Sequence, residues 1–397
     1  MRTTRRCWRS RRFELPVRDL RASEPEGSEP TYFVQGQRYP RQRADEDFKP
    51  VREALARDLR GNDTSAAAGL DRMSVREWID SRVPGGARSP FGTILDVAFA
   101  SDYGTETSDL SALNLAYLLG LQKYGVPSQR QYRIIGGNEQ LPLRMAERLG
   151  AGSIALEWRL QALTRRSDGR LQLTFATPAG IREVRAEHVI LALPFAVLRT
   201  LDYERAGFDQ LKRRSIAELG RGRNAKLHVQ FRRRVWTAPS PAGPGNGSSV
   251  TDLGYQVTYE ASRGEPGTSG VLVNYLGGPA ADRLRPTSPY TGGSSESLAA
   301  EARGFLAQLD RMWPGASVEW NGKVALSAPA LDPHLQCSYS YWRVGQYQTL
   351  RGHERVPHGN VHFAGEHCSV EFQGYMEGGI TEGIRAANEV RRDLGIA

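Results

Sequence analysis

The segment GNVHFAGEHCSVEFQGYMEGGITEGIRAANEV, residues 359–390, constrains this chain more than any other. It reads as a short apolar strand, a turn at Gly365–Glu366, a loop, and a helix that opens on Gly374–Tyr375–Met376. Met376, Ile380, Ile384, Ala387 and Val390 recur at helical spacing on or near one face, so the helix packs that face on a core. The N–H groups of its first turn lack helical partners, and the positive end of the helix dipole lies there. Such a start is a seat for an anionic or electron-rich group. Gly365 permits close backbone approach after the strand, and Glu366 is an acceptor for a hydroxyl. The plainer alternative is a strand–loop–helix packing unit with a capping glycine.

Composition narrows what surrounds this segment. At 397 residues the chain can bury a sizeable core and is expected to form two domains. Its 53 Lys and Arg against 44 Asp and Glu give a net charge of +9, carried mostly by scattered arginines. That pattern fits a solvated basic surface better than a nucleic-acid interface, which needs a stripe or a motif. No apolar run reaches membrane-spanning length. The opening MRTTRRCWRSRRFELP has no apolar stretch behind its basic residues, so it does not read as a secretory signal, and a cytoplasmic location is expected. Cys7, Cys337 and Cys368 are odd in number and widely spaced, which argues against a disulfide framework. His362, His367 and Cys368 have no second cluster to complete a site, so no metal is expected.

The remaining elements are mixed. Residues 44–60, 73–82 and 108–123 read as helices, and 132–150 as strand, glycine turn and helix. Residues 153–191 alternate like strands and end in an apolar run before Pro194. A strand is expected at 224–236, strands near 254–259 and 270–275, and a helix at 297–313, separated by Pro/Gly/Ser loops at 238–250 and 285–296.

The closing segment resembles the C-terminal flavin motif of the FAD-dependent amine oxidases, the monoamine and polyamine oxidases and their bacterial relatives. Three further stretches resemble that family in order: RIIGGNEQLPLRMAERLG (133–150), HVILALPFAVLRTL (188–201) and LGRGRNAKLHVQF (219–231). The resemblance implies an α/β class with an α+β substrate domain, in a Rossmann-like FAD/NAD(P)-binding amine-oxidase fold of two domains. The expected layout is a basic start with a helix remnant (1–29), substrate-domain parts at 30–135 and 226–330, and FAD-domain parts at 136–225 and 331–397.

The same resemblance implies FAD as cofactor and a small amine or amino acid as substrate, with O2 as electron acceptor and H2O2 as product. Lys226 would hold a water against the flavin. Tyr375 and Tyr339 would flank the substrate. Gly365, Glu366, Gly374, Tyr375 and Met376 would contact the flavin, and Leu160 would read the adenine. Cys337 falls where monoamine oxidases attach FAD covalently. The family's tryptophan before that segment is absent, where this chain reads SAPALDP (327–333).

One expectation runs against the resemblance. The only match to G-x-G-x-x-G spacing is GRGRNA (220–225), which precedes a strand and follows a helical run. The chain is therefore expected to lack the family's first βαβ unit and to bind FAD weakly by itself. Two alternatives to an amine oxidase stay open: an L-amino-acid oxidase, and a catalytically silent chain. The silent chain would act through association, as a homodimer or with a complementary N-terminal half. Neither nucleic acid nor membrane is an expected partner.

Overall fold

The computed structural model describes residues 12–58, 64–116, 131–150, 152–238, 244–293 and 296–396. Its largest feature is an eight-stranded mixed sheet. From one edge to the other it runs Tyr290–Thr291, Trp320–Ser327, Asn224–Phe231, Gly270–Gly277, Val257–Glu260, Gly245–Thr251, Glu29–Val34 and Gln37–Tyr39. Every neighbouring pair is antiparallel except Gly245–Thr251 with Glu29–Val34.

The Asn224–Phe231 strand shows how sequence alternation builds the layers. Ala225, Leu227, Val229 and Phe231 are buried and join a core with Phe305, Leu306, Leu309 and Met312 of the Ala299–Met312 helix. The intervening Lys226, His228 and Gln230 point to the opposite face, because successive side chains of a strand alternate. A second core lies among the early helices and includes Trp78, Ile79, Phe91, Leu95 and Leu110, with Tyr341 from the distant C-terminal region.

The third core surrounds a two-stranded parallel pair, Val189–Leu191 with Val361–Phe363. The 18-residue helix Met376–Asp393 follows that pair, and a three-stranded antiparallel meander, Arg159–Arg165, Leu171–Thr177 and Gly180–Ala186, stands before it. Among the described residues no helix is long and apolar enough to cross a membrane.

Several expectations need correction. The helix read at 108–123 does not begin there: Leu110 and Ser111 form isolated bridges to Arg343 and Ser74, and Ser111 N donates to Trp342 O. Its residues 117–123 lie outside the described residues. The strand expected from 153 starts only at Arg159. A helix the periodicity does not mark, Pro90–Tyr103, is well delimited: Ser89 caps it by accepting from Gly92 N, Pro90 takes its first turn, and Gly104 closes it in the left-handed region.

Candidate functional site

Lys226 stands on the sheet face away from the Ala299–Met312 helix, directly across the ladder from Tyr275. Its Nζ is 5.4 Å from the centre of the Tyr275 ring. Burial, with no neighbouring charge to offset it, lowers the lysine's pKa from its usual value. Tyr259 packs edge-on against Tyr275 with ring centres 6.2 Å apart.

The Tyr275 hydroxyl lies 2.7 Å from the Tyr339 hydroxyl. Tyr339 gives its one proton to the Asp102 carbonyl oxygen, so Tyr275 must be the donor of the pair. Both phenols are held protonated well above their usual range, first by burial, with the Asp102 carboxylate adding to the shift. Tyr375 is close enough to add to the cost of ionising Tyr275. Lys226, Tyr275, Tyr339 and Tyr375 therefore converge, although they come from four separate stretches of the chain.

Asp102 presents two aspects. Its surface is exposed, yet protein atoms crowd it closely. The crowding pushes its carboxyl up to about 6.

Glu366 is the joint between this cluster and the closing helix. One carboxylate oxygen accepts from Ser340 N at 2.9 Å; the other accepts from Ser340 Oγ at 3.0 Å and Gly374 N at 2.6 Å. The carboxylate thus fastens the residue after Tyr339 to the residue before Tyr375. Burial raises its pKa, and these three donors oppose the rise.

The glycines around Glu366 have a use. Gly365 sits at φ 133°, and a Cβ there would come within 2.7 Å of the His367 ring. Gly374 sits at φ 79° with nothing within 4 Å of where a Cβ would lie, so the space in front of the helix start is open. Met376, 60% exposed, borders it.

Cys337 is buried in a small cleft with Phe195, Arg199, Arg221, Tyr339 and Glu366. Burial, helped by Glu366, pushes its thiol up to about 12, where it is a poor nucleophile. Leu160 lies apart from the tyrosines, opposite Phe175 in the meander, at a bulge against the third core. Tyr275 and Asp102 were not singled out in the sequence. A tyrosine directly opposite a strand lysine becomes visible only once the register is known.

His367 and Cys368 do not join His362. His367 packs against Phe195 with ring centres 4.4 Å apart, and burial lowers its pKa to about 3. Cys368 donates to the Glu354 carbonyl oxygen.

Known proteins resemble this chain in sequence and in fold. The flavin containing amine oxidoreductase family matches residues 14–391. The flavin-dependent L-tryptophan oxidase RebO of Lentzea aerocolonigenes is 26% identical over 334 residues, covering 82% of this chain and 66% of that protein. Polyamine oxidase 2 of Arabidopsis thaliana is 28% identical over 210 residues, 52% of this chain and 39% of that one. The chain thus spans between about two fifths and two thirds of the length of these curated relatives. Cyclohexylamine oxidase from Brevibacterium oxydans IH-35A has the same fold, with a TM-score of 0.78, 20% identity, and coverage of 98% of this chain and 84% of that one.

Proposed function

The chain belongs to the flavin containing amine oxidoreductase family, and from that premise we propose that it oxidises a small amine at a flavin seated between the tyrosine cluster and the Met376–Asp393 helix. The observation that carries the proposal is the convergence of Lys226, Tyr275, Tyr339 and Tyr375 beside a helix N-terminus with open space at Gly374. The residues at the helix start fit the flavin ring of FAD: they offer N–H donors and a positive dipole end to its electron-rich edge. Leu160 is assigned to the adenine on resemblance alone.

Bound FAD would supply the acceptor for a hydride equivalent from the amine Cα–H and pass the electrons to O2, giving H2O2, while the imine hydrolyses. The chain's own residues do the rest. Tyr339 and Tyr375 flank the amine and exclude water. The Tyr275–Tyr339–Asp102 hydrogen bonds hold the Tyr339 ring in one orientation. Lys226, its charged form disfavoured by burial, keeps an ordered water or a proton at the reacting face. Glu366 positions Tyr375 by holding Gly374. A thiol at about 12 supports non-covalent flavin at Cys337.

Among amines, a substrate with a second ammonium group is favoured over an amino acid. The charge felt by both phenols is the Asp102 carboxylate, which attracts an ammonium and repels a substrate carboxylate. Asp102→Asn, assayed with FAD and a diamine, is expected to raise KM about 2–5-fold above pH 6, the order of one exposed charge contact. In the unsubstituted chain KM falls as pH rises through about 6, where the carboxyl ionises, and the asparagine variant loses that step. Equal KM values at all pH would remove Asp102 from substrate binding. Faster turnover of amino acids than of diamines would favour the amino-acid oxidase reading.

A further inference from the structure

We propose that His188, His362 and Asp393 form a site for one divalent zinc ion, distinct from the amine site, that fastens the far end of the Met376–Asp393 helix to the parallel strand pair. The three side chains come from three elements: His188 just before the Val189–Leu191 strand, His362 in the middle of Val361–Phe363, and Asp393 at the last position of the helix. One donor atom from each lies within 4.8 Å of the other two. His362 Nε2 is 3.2 Å from Asp393 Oδ2, and His188 Nδ1 is 3.9 Å from it. Donors about 2.0–2.1 Å from a shared tetrahedral zinc stand about 3.4 Å apart, so small side-chain movements would close this set around an ion.

Two independent observations point to a ligand. First, His362 is almost wholly buried, yet its Nε2 makes no hydrogen bond among the described residues, and neither does His188 Nδ1. Both nitrogens lie within 4 Å of the same Asp393 oxygen. Second, the other nitrogen of His362 is prepared for metal binding. Nδ1 lies 3.2 Å from Glu389 Oε2, while Glu389 Oε1 is fixed by Arg385 at 2.6 Å. A carboxylate accepting from one imidazole N–H leaves the lone pair on the other nitrogen and fixes the ring's orientation. Two imidazoles and one carboxylate suit zinc among the common divalent ions, with a water in the fourth position. The Asp393 carboxylate is half exposed and gives the ion a way in.

The site is remote from the amine chemistry. Helix rise places Asp393 about 26 Å along the axis from Met376, whose end borders the tyrosine cluster. A zinc here would act on the frame that holds the helix start in place.

The experiment is a zinc titration of the full chain after chelator treatment and desalting, read as bound zinc per chain and as a shift in melting temperature. One zinc per chain is expected, with a Kd of about 1 μM or tighter and a raised melting temperature. Asp393→Asn and His188→Gln, both at the rim, are each expected to weaken binding by at least about 10-fold, and Glu389→Gln by about 10–100-fold, as for other outer carboxylates. Circular dichroism of the metal-free variants checks that they fold, so His362 itself need not be replaced. Zinc uptake that these variants leave unchanged would mean adventitious surface binding and would overturn the site. So would absence of uptake at equimolar micromolar zinc. The alternative occupant of the gap is a proton, with His362 charged between Glu389 and Asp393. Imidazole NMR showing both His362 nitrogens protonated at neutral pH in the presence of zinc would establish that reading instead.

Discussion

The sheet and the parallel strand pair solve the problem of a core differently. Beneath the sheet, Phe231, Trp236, Leu227 and Leu309 pack with few polar intruders, and Phe231 meets Trp236 edge-on with ring centres 5.6 Å apart. Around the strand pair, the apolar core also encloses Lys212, Glu354 and His367. The Lys212 Nζ stands 3.8 Å above the Phe363 ring and donates to the carbonyls of His353 and Glu354. The pair is also bare at one place: Ile190, in a parallel strand of the kind usually covered on both faces, is 39% exposed. One region is held mainly by apolar contact, with Trp236 donating to the buried Glu260 carboxylate at its margin. The other is held by contacts that depend on protonation and on what lies beside it.

The largest expected effect tests the first half of that contrast. Phe231→Ala removes a fully buried ring from a well-filled core and should lower unfolding free energy by about 3–5 kcal/mol. Denaturant unfolding at pH 5 and pH 8 should give the same loss, since the ring packs edge-on against Trp236, which does not titrate. A loss under about 1 kcal/mol would mean the sheet core is looser than its packing implies.

The second effect belongs to the strand pair. Burial raises the Glu354 carboxyl from 4.5 to about 7 and lowers Lys212 from 10.5 to about 8. An acid whose folded pKa is raised binds its proton more tightly when folded, so stability falls as pH rises from about 4.5 to 7. A lysine with a lowered folded pKa costs stability as pH falls from about 10.5 through 8. Between about 7 and 8 both costs are present, offset in part by mutual attraction. Glu354→Gln should therefore gain on the unsubstituted chain by on the order of 1–3 kcal/mol between pH 4.5 and pH 7.5. A pH-independent difference would show that Glu354 is not the titrating group.

The third effect is catalytic. With FAD bound, Lys226→Met should slow flavin reduction or reoxidation by at least about 10-fold, the usual scale for a lost polar group at a reacting centre. Stopped-flow measurement of both half-reactions checks it; unchanged rates in both remove Lys226 from the mechanism.

What the sequence disclosed follows the same divide. The Asn224–Phe231 strand, the existence of the closing helix and the turn at Gly365 were legible because alternation, helical spacing and glycine act within a few residues of one another. The face that the closing helix buries was misread: Glu377, Gly378, Glu382 and Ala386 are its buried residues, whereas Met376 is 60% and Ile384 51% exposed. The Pro90–Tyr103 helix escaped because buried residues occupy most of its circumference, leaving little contrast between faces. Tyr275 opposite Lys226, Asp102 beneath Tyr339, and His188 beside His362 escaped for a different reason. Each pairing joins positions tens to hundreds of residues apart, and only sheet register or chain crossing brings them together. Glu366 was read as an acceptor for a hydroxyl and a contact of the flavin. In the fold its carboxylate clasps Ser340 and Gly374, a role that needs the neighbouring strand to be visible.

The smallest expected effect concerns the Gln140–Leu149 helix, which has no fully buried residue. Leu143 is 58% and Leu149 63% exposed, although the helix is strongly divided into apolar and charged faces. An exposed leucine contributes little to folding, because its surface stays in water in both states. Replacing both by Gln should change unfolding free energy by less than about 0.5 kcal/mol, within the range of ordinary surface substitutions. The measurement is a denaturant titration at two protein concentrations differing about 50-fold. A loss of 2 kcal/mol or more, growing with concentration, would mean that a second copy covers this face in solution. The sheet would then be a region that folds by itself, and the Gln140–Leu149 helix one completed by association.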